Sequence, residues 1–185
     1  MPWLSHFYVD IRSIRRIFTL VMRILGIDPG LNVTGYGILE GHQEQVAVVE
    51  AGVVRTNGQD SMADKLFLIA KEIEGIISQF RPDAIAIEEL YSHYGHPKTA
   101  ITMGHARGVV FLKAAEAGVP VFPYASTRIK KSLTGNGRAS KQQVQLMIKS
   151  TLDLAEVPEP PDTADALAVA LCHCRAIAHN QAVQV

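Results

Sequence analysis

The amino-acid sequence predicts an α/β fold built on a central, mixed five-stranded sheet flanked by helices, and three observations carry that prediction. "MRILGID" (22–28) is an unbroken apolar run of strand length, rich in β-branched residues, and reads as a fully buried strand. Two further β-rich runs, "VTGYGILE" and "QVAVVEAGVVRT", follow after short turns, so the chain begins as a three-stranded antiparallel meander. Beyond residue 60, helical periodicity alternates with short apolar strands, giving the order βββαβαβα with a trailing helix.

The elements are predicted in order as follows. The first strand ends on Asp28, and "PG" turns the chain back at once, as Asp before Pro-Gly does in ordinary turns. Asp60 or Ser61 caps a helix from Met62 to Gln79, whose apolar positions Leu66, Ile69, Ile73, Ile76 and Ile77 recur at spacings of three and four. "RPD" breaks it, and "AIAIEE" forms a short buried strand that again ends on acids. A helix covers 97–117, "PVFPY" is the fifth strand, and Ser126 caps "TRIKKSL". "GNG" separates that helix from one over 140–153, and "VPEPPD" leads into a last helix, "TADALAVALCHCRAIA".

A single domain is the natural prior for 185 residues. Its bounds are predicted at 22–179, with a tail over 180–185. "MPWLSHFYVDIRSIRRIFTLV" has scattered arginines and no clear period, while Met22 stands directly before the first strong strand. Residues 1–21 are therefore read as a loose extension or a mis-assigned start. A hydrophobic share of 48% against 19% charged residues excludes a disordered chain. No segment approaches the roughly 18 consecutive apolar residues of a membrane span. Two cysteines, Cys172 and Cys174, are too few and too close for a disulfide framework, so a cytoplasmic setting is expected.

Net charge is zero but unevenly spread. Lys98, Arg107, Lys113, Arg128, Lys130, Lys131, Arg138, Lys141 and Lys149 fall in one segment whose only acid is Glu116, which makes it +8 and the remainder −8. A basic stretch holds phosphates, and an acidic remainder collects cations. The acids fall at equivalent places. Asp28 ends the first strand, Glu88 and Glu89 end the fourth, and Asp162 and Asp165 open the last helix on one face of its first turn. Taken singly, each has a structural explanation, since acids favour helix N-termini. Together they would repel by roughly 4 kcal/mol per pair at 4 Å, unless cations joined them or their pKa values rose. An all-oxygen set suits Mg²⁺ or Mn²⁺ rather than Zn²⁺. "CHC" at 172–174 lies within a helix, where its sulfurs diverge, and reads as buried small residues.

"GIDPGLNVTGYG", "AIEELY", "GHARGV", "YASTRIKKSLTGNGRASKQQV" and "PDTADALAVALCHC" resemble, in order and at compatible spacing from Met22 to His179, the RuvC family of Holliday junction resolvases. The resemblance implies an RNase H-like fold, a homodimer, and metal-dependent endonuclease action on four-way DNA junctions, with a branch-migration complex of RuvA and RuvB as partner. It carries the family's metal-binding carboxylates over to Asp28, Glu88, Asp162 and Asp165. Glu88 is preferred to Glu89 because it matches the family's "IE" position. Two Mg²⁺ ions per subunit are implied, with Mn²⁺ able to substitute. Tyr91 falls at an aromatic position placed against junction bases. Lys130 and Lys141 match basic residues near the cleaved strand, with Lys141 stabilising charge on the phosphate. Arg107 and Arg138, in the same basic stretch, are expected to contact DNA.

Three other readings compete. A sugar-kinase or actin-like protein also begins with a strand, an Asp and a Gly-rich hairpin, but 185 residues leave no room for its second domain, and "TGNGRASK" lacks the Gly-Lys-Ser/Thr of a phosphate loop. An RNase H-like nuclease acting on RNA or plain duplex would differ in substrate alone. A non-catalytic junction-binding module would not need the full acidic set.

Overall fold

The computed structural model describes residues 21–42, 45–90 and 97–183. The N-terminal segment up to residue 20 and Tyr91 lie outside the described residues. One sheet holds five strands: β1 (Met22–Asp28), β2 (Val33–His42), β3 (Gln45–Arg55), β4 (Ala84–Glu88) and β5 (Val121–Tyr124), in the order β3-β2-β1-β4-β5. The expected meander is present, β1 and β3 each pairing antiparallel with β2. β4 then lies parallel to β1, and β5 parallel to β4. Among the described residues there are five helices: α1 (Met62–Phe80), α2 (Pro97–Glu116), α3 (Ser126–Thr134), α4 (Lys141–Thr151) and α5 (Pro161–Val183).

Strand alternation divides the core in two. Leu25 and Ile27 of β1 and Ile85 and Ile87 of β4 point to one side, where they pack with Ile69, Ile73 and Ile77 of α1 and Ala106, Val110 and Ala114 of α2. Ile24 of β1 and Ala84 and Ala86 of β4 point to the other, against Leu167, Val169 and Leu171 of α5 and residues of α3 and α4. Asp28 and Glu88 fall in phase with this second set, at the ends of their strands. β1 and β4 are in register with Ile27 opposite Ile87, so the two acids stand at neighbouring strand ends, about 4.8 Å apart along the ladder.

Small residues bring α5 down onto this face. A Cβ on Gly26 would lie 2.1 Å from the Ala166 carbonyl oxygen and 2.7 Å from the Ala170 nitrogen. One on Gly35, which pairs with Asp28, would lie 2.1 Å from the Asp162 carbonyl oxygen. Ala164, Ala166, Ala168 and Ala170 keep the helix side equally slim and are buried. The N-terminus of α5 therefore rests directly over the end of β1.

The turn after Asp28 is held by its own residues. Thr34, fully buried, donates from Oγ1 to the Gly30 carbonyl at 2.6 Å. Thr56 donates from Oγ1 to the Leu31 carbonyl at 2.8 Å. Lys65 is buried on α1, where Leu66 was expected, because its ammonium donates to Asn32 Oδ1 at 2.9 Å and the Gly58 carbonyl at 3.3 Å.

Ser61 caps α1, accepting from the Asp64 N–H. Ser126 does not cap α3; Ala125 holds that position without a side-chain bond, and Ser126 is already the first helical residue. Its hydroxyl is engaged elsewhere. α5 starts two residues earlier than the pattern indicated, with Pro161 leading, as suits a residue with no N–H to place. It continues to Val183, through residues expected to belong to a tail. Strand β4 stops at Glu88; Glu89 leaves the side-by-side pairing while its N–H still donates to the Tyr124 carbonyl at 2.9 Å.

Candidate active site

Three elements deliver the four acids. Asp28 and Glu88 come from adjacent strand ends, and Asp162 and Asp165 from the first turns of α5 above them. All four are half-buried, where charge is poorly screened. Burial, followed by the neighbouring Glu88, Asp165 and Asp162 carboxylates, pushes the Asp28 carboxyl up to about 7, with Lys141 pulling the other way. Glu88 is also raised, first by burial and then by Asp165, while a hydrogen bond from Ser126 and the charges of Lys130 and Lys141 oppose the rise. Asp28 therefore feels the other three carboxylates and Glu88 feels Asp165, as expected of a shared anionic pocket.

Lys141 is aimed into that pocket by local structure. Ser140 forms a capping box with Gln143, its hydroxyl accepting from the Gln143 N–H while the Gln143 side chain accepts from the Ser140 N–H. Lys141 is thus the first residue of α4, and its ammonium reaches Asp165 Oδ2 at 2.7 Å. This pairing raises the Lys141 pKa. Among the described residues no three His, Cys, Asp or Glu side chains close tightly enough to hold a metal ion as they stand. The acids approach as coupled charges, with one ammonium on one of them. The donor set consists of hard carboxylate oxygens, and burial, followed by the neighbouring carboxylates, raises the Asp28 and Glu88 carboxyls despite Lys141. Both features fit hard divalent cations.

The other predicted contacts are distributed unevenly. Lys130, on α3, is near enough to bias Glu88. Arg138 is exposed in the loop before α4, where its N–H donates to Asn136 Oδ1 at 2.9 Å. Arg107 lies on α2, its guanidinium stacked 4.8 Å from the Phe111 ring, and none of the charge couplings of Asp28 or Glu88 involves it. Lys113 is already committed to Glu74 at 2.7 Å and Glu116 at 2.8 Å, which trims the basic segment. The "CHC" residues are buried as expected. The His173 Nδ1 lies 2.6 Å from the Tyr124 hydroxyl, and burial holds the ring's pKa down to about 4.

Ser126 is the site residue that sequence reasoning placed wrongly. Its position directly before the helical run "TRIKKSL" signalled a cap, and only the approach of α3 to the end of β4 shows that the hydroxyl serves Glu88.

An antiparallel meander extended by two parallel strands, with carboxylates at the β1 and β4 ends and on the helix lying across them, defines an RNase H-like fold of the resolvase type. Residues 24–173 match the family described as crossover junction endodeoxyribonuclease RuvC. A crossover junction endodeoxyribonuclease RuvC of Rhodopirellula baltica is 50% identical over 80% of this chain and 84% of its own length. That of Ruminiclostridium cellulolyticum is 45% identical over 82% and 91%. Among solved structures, Thermus thermophilus RuvC in complex with a Holliday junction substrate superposes with a TM-score of 0.81 at 34% identity, covering 86% of this chain and 96% of that one. The chain belongs to the RuvC family of crossover junction endodeoxyribonucleases.

Proposed function

We propose that this protein resolves four-way DNA junctions by paired hydrolytic nicks that leave 5′-phosphate and 3′-hydroxyl ends. The observation that carries the reading is the coupled set Asp28, Glu88, Asp162 and Asp165, assembled from two strand ends and one helix, with Lys141 beside it. These four carboxylates would hold two Mg²⁺ ions, with Mn²⁺ able to substitute. Bound there, the ions would supply Lewis acidity to the scissile phosphate and its attacking water.

The chain's own groups do the rest. Asp28, raised to about 7, carries a proton in a good part of the population at neutral pH, which a bound cation would displace. Lys141 is more than half exposed, and an ion pair of that kind is worth about 1 kcal/mol or less. Exchanging Asp165 for a phosphate oxygen therefore costs little, and the ammonium then stabilises charge developing on the phosphate. Ser126 and Lys130 favour the ionised form of Glu88 against the burial that raises its carboxyl. Arg138 and Lys130 follow the backbone, Arg107 contributes at longer range, and Tyr91 stacks on a junction base. A homodimer places two such sites on a two-fold symmetric substrate, as two symmetric nicks require. A branch-migration complex of RuvA and RuvB is the proposed partner. Among the described residues no helix is long and apolar enough to cross a membrane. A cytoplasmic setting is proposed on the two cysteines, which are free and buried.

The test is a gel assay with purified protein and a synthetic immobile junction, in Mg²⁺ with and without chelator, alongside plain duplex and RNA. Paired nicks confined to the junction and abolished by chelator are expected. Equal cutting of RNA or of plain duplex would favour the rival nuclease reading.

A further inference from the structure

The acids reach their pocket on two separate supports. Glu88 belongs to the sheet, where it stands opposite Tyr124 at the end of β5, and its partners Ser126 and Lys130 lie on α3 just beyond. Asp162 and Asp165 ride on α5. Where α5 crosses the sheet it rests on Gly26, whose missing side chain admits Ala166 and Ala170, and on Gly37, which admits Leu167. A helix seated on one short stretch has its height fixed there but is free to rock about it. The acids lie on one side of this seat and His173 on the other, each about 7 Å along the axis at about 1.5 Å per residue. With arms of equal length, a shift at His173 returns as a shift of the same size at the acids.

His173 is where the far arm is tied. The ring is buried, its Nδ1 lies 2.6 Å from the Tyr124 hydroxyl, and its Nε2 has no partner among the described residues. Tyr124 is buried too, and the Arg128 guanidinium sits 4.9 Å over its ring. Phe122 covers the imidazole, with 4.5 Å between ring centres. Arg128 stands on α3 between Ser126 and Lys130, so Tyr124 touches both the strand beside Glu88 and the helix that serves it. Arg175 also joins α5 to α3, through the Ser132 carbonyl, but toward the other end of α3 from Ser126. An apolar pair of the same shape would fill the space of Tyr124 and His173 with little loss of stability. A hydrogen bond adds a defined distance and direction that packing does not impose.

Resting on the nuclease reading above, we infer that Tyr124 and His173 are positioning residues: their buried hydrogen bond sets the tilt of α5 on its glycine seat, and with it the gap from Glu88 to Asp162 and Asp165. Removing a group bonded directly to a metal ligand weakens metal binding by roughly 10–100-fold. Tyr124 and His173 act through the helix instead, which puts the expected loss at the lower end, about tenfold.

The test uses the free full-length protein without DNA. Mn²⁺ binding is followed by the electron paramagnetic signal of the unbound ion, and the tilt of α5 against the sheet by residual dipolar couplings of backbone N–H groups in metal-free protein. Tyr124→Phe, which removes the hydroxyl alone, should weaken Mn²⁺ binding about tenfold and tilt α5 by several degrees, since about 1 Å over such an arm is about 8°. His173→Asn, whose amide stands where Nδ1 does, should keep both near wild type. Tyr124→Phe combined with His173→Leu removes both polar groups and should recover much of the stability while Mn²⁺ binding stays weak. Ile73→Val loosens the core on the opposite face of the sheet and should move neither reading. A Tyr124→Phe protein with wild-type Mn²⁺ affinity or an unmoved α5, or one whose losses Ile73→Val reproduces, would overturn the inference. Wild-type protein that takes up no Mn²⁺ would defeat the metal reading of the acids alone, since the tilt measured without metal would still decide for or against the positioning pair.

Discussion

Gly26→Ala tests the packing that assembles the acids. The new Cβ would sit 2.1 Å from the Ala166 carbonyl oxygen, 2.7 Å from the Ala170 nitrogen and 2.8 Å from the Ala170 Cβ. Ordinary contact distances begin near 3.5 Å, so α5 must retreat by more than ~1 Å at that point. The obstructing atoms are mostly backbone and cannot rotate aside. Over-packing of this kind costs typically 1–3 kcal/mol, occasionally more, and a value of about 3 kcal/mol is expected here. The retreat also lifts Asp162 and Asp165 away from Asp28 and Glu88, and a 1 Å misplacement of reacting groups can cost ~100-fold in rate. Urea denaturation would measure the first effect and junction cleavage by the folded protein the second. Gly75→Ala is the control, because nothing lies within 4 Å of a Cβ at that helical glycine. It should stabilise by about 0.5–1 kcal/mol and leave cleavage unchanged. A Gly26→Ala protein with the wild-type urea midpoint and the wild-type rate would refute the argument that α5 is seated by glycine.

Other expectations concern the site and its surroundings. Asp162→Asn should abolish cleavage yet leave junction binding largely intact, since acids repel phosphate; a gel-shift showing lost binding by folded protein would contradict this. Lys141→Ala should slow cutting and flatten its salt dependence, and an unchanged rate across salt concentrations would remove that side chain from the mechanism. Ser126→Ala should raise the Mg²⁺ concentration needed for half-maximal cutting several-fold and shift the pH profile upward, with Ser126→Thr restoring both. Buried His173, held neutral with a pKa of about 4, binds no proton in the folded state between about pH 6.5 and 4, whereas the unfolded chain does. Stability is therefore complete above pH 6.5 and falls by about 3 kcal/mol as the pH drops toward 4. Asp28 acts oppositely without divalent ions. Its folded carboxyl binds a proton between about 4 and 7 where the unfolded one does not, so stability is lost as pH rises through that window. Comparing the pH dependence of urea midpoints for His173→Gln and Asp28→Asn separates the two contributions, and parallel curves for both variants would contradict the assignment.

Much of this architecture was open to reading from one-dimensional pattern. A strand such as "MRILGID" announces itself because burial on both faces demands apolar residues at every position, and α1 because its isoleucines recur at helical spacing. The acids Asp28, Glu88, Asp162 and Asp165 stood out because carboxylates ending buried strands and opening a helix fall where open α/β sheets gather ligands. Their nearness in space is another matter. Asp28 and Asp165 are brought together by the absence of side chains at Gly26 and Gly35, and an absent side chain leaves no periodic signal. The same holds for Lys141, whose contact with Asp165 depends on where the Ser140 capping box sets the start of α4. It holds also for Ser126, which local sequence assigned to a helix cap and tertiary packing gave to Glu88. Local residue pattern determines element type and the candidate acids, because those follow from the chain's immediate neighbours. Which charges meet, and which hydroxyl or ammonium answers them, was decided only when helices from distant parts of the chain came to rest on one face of the sheet.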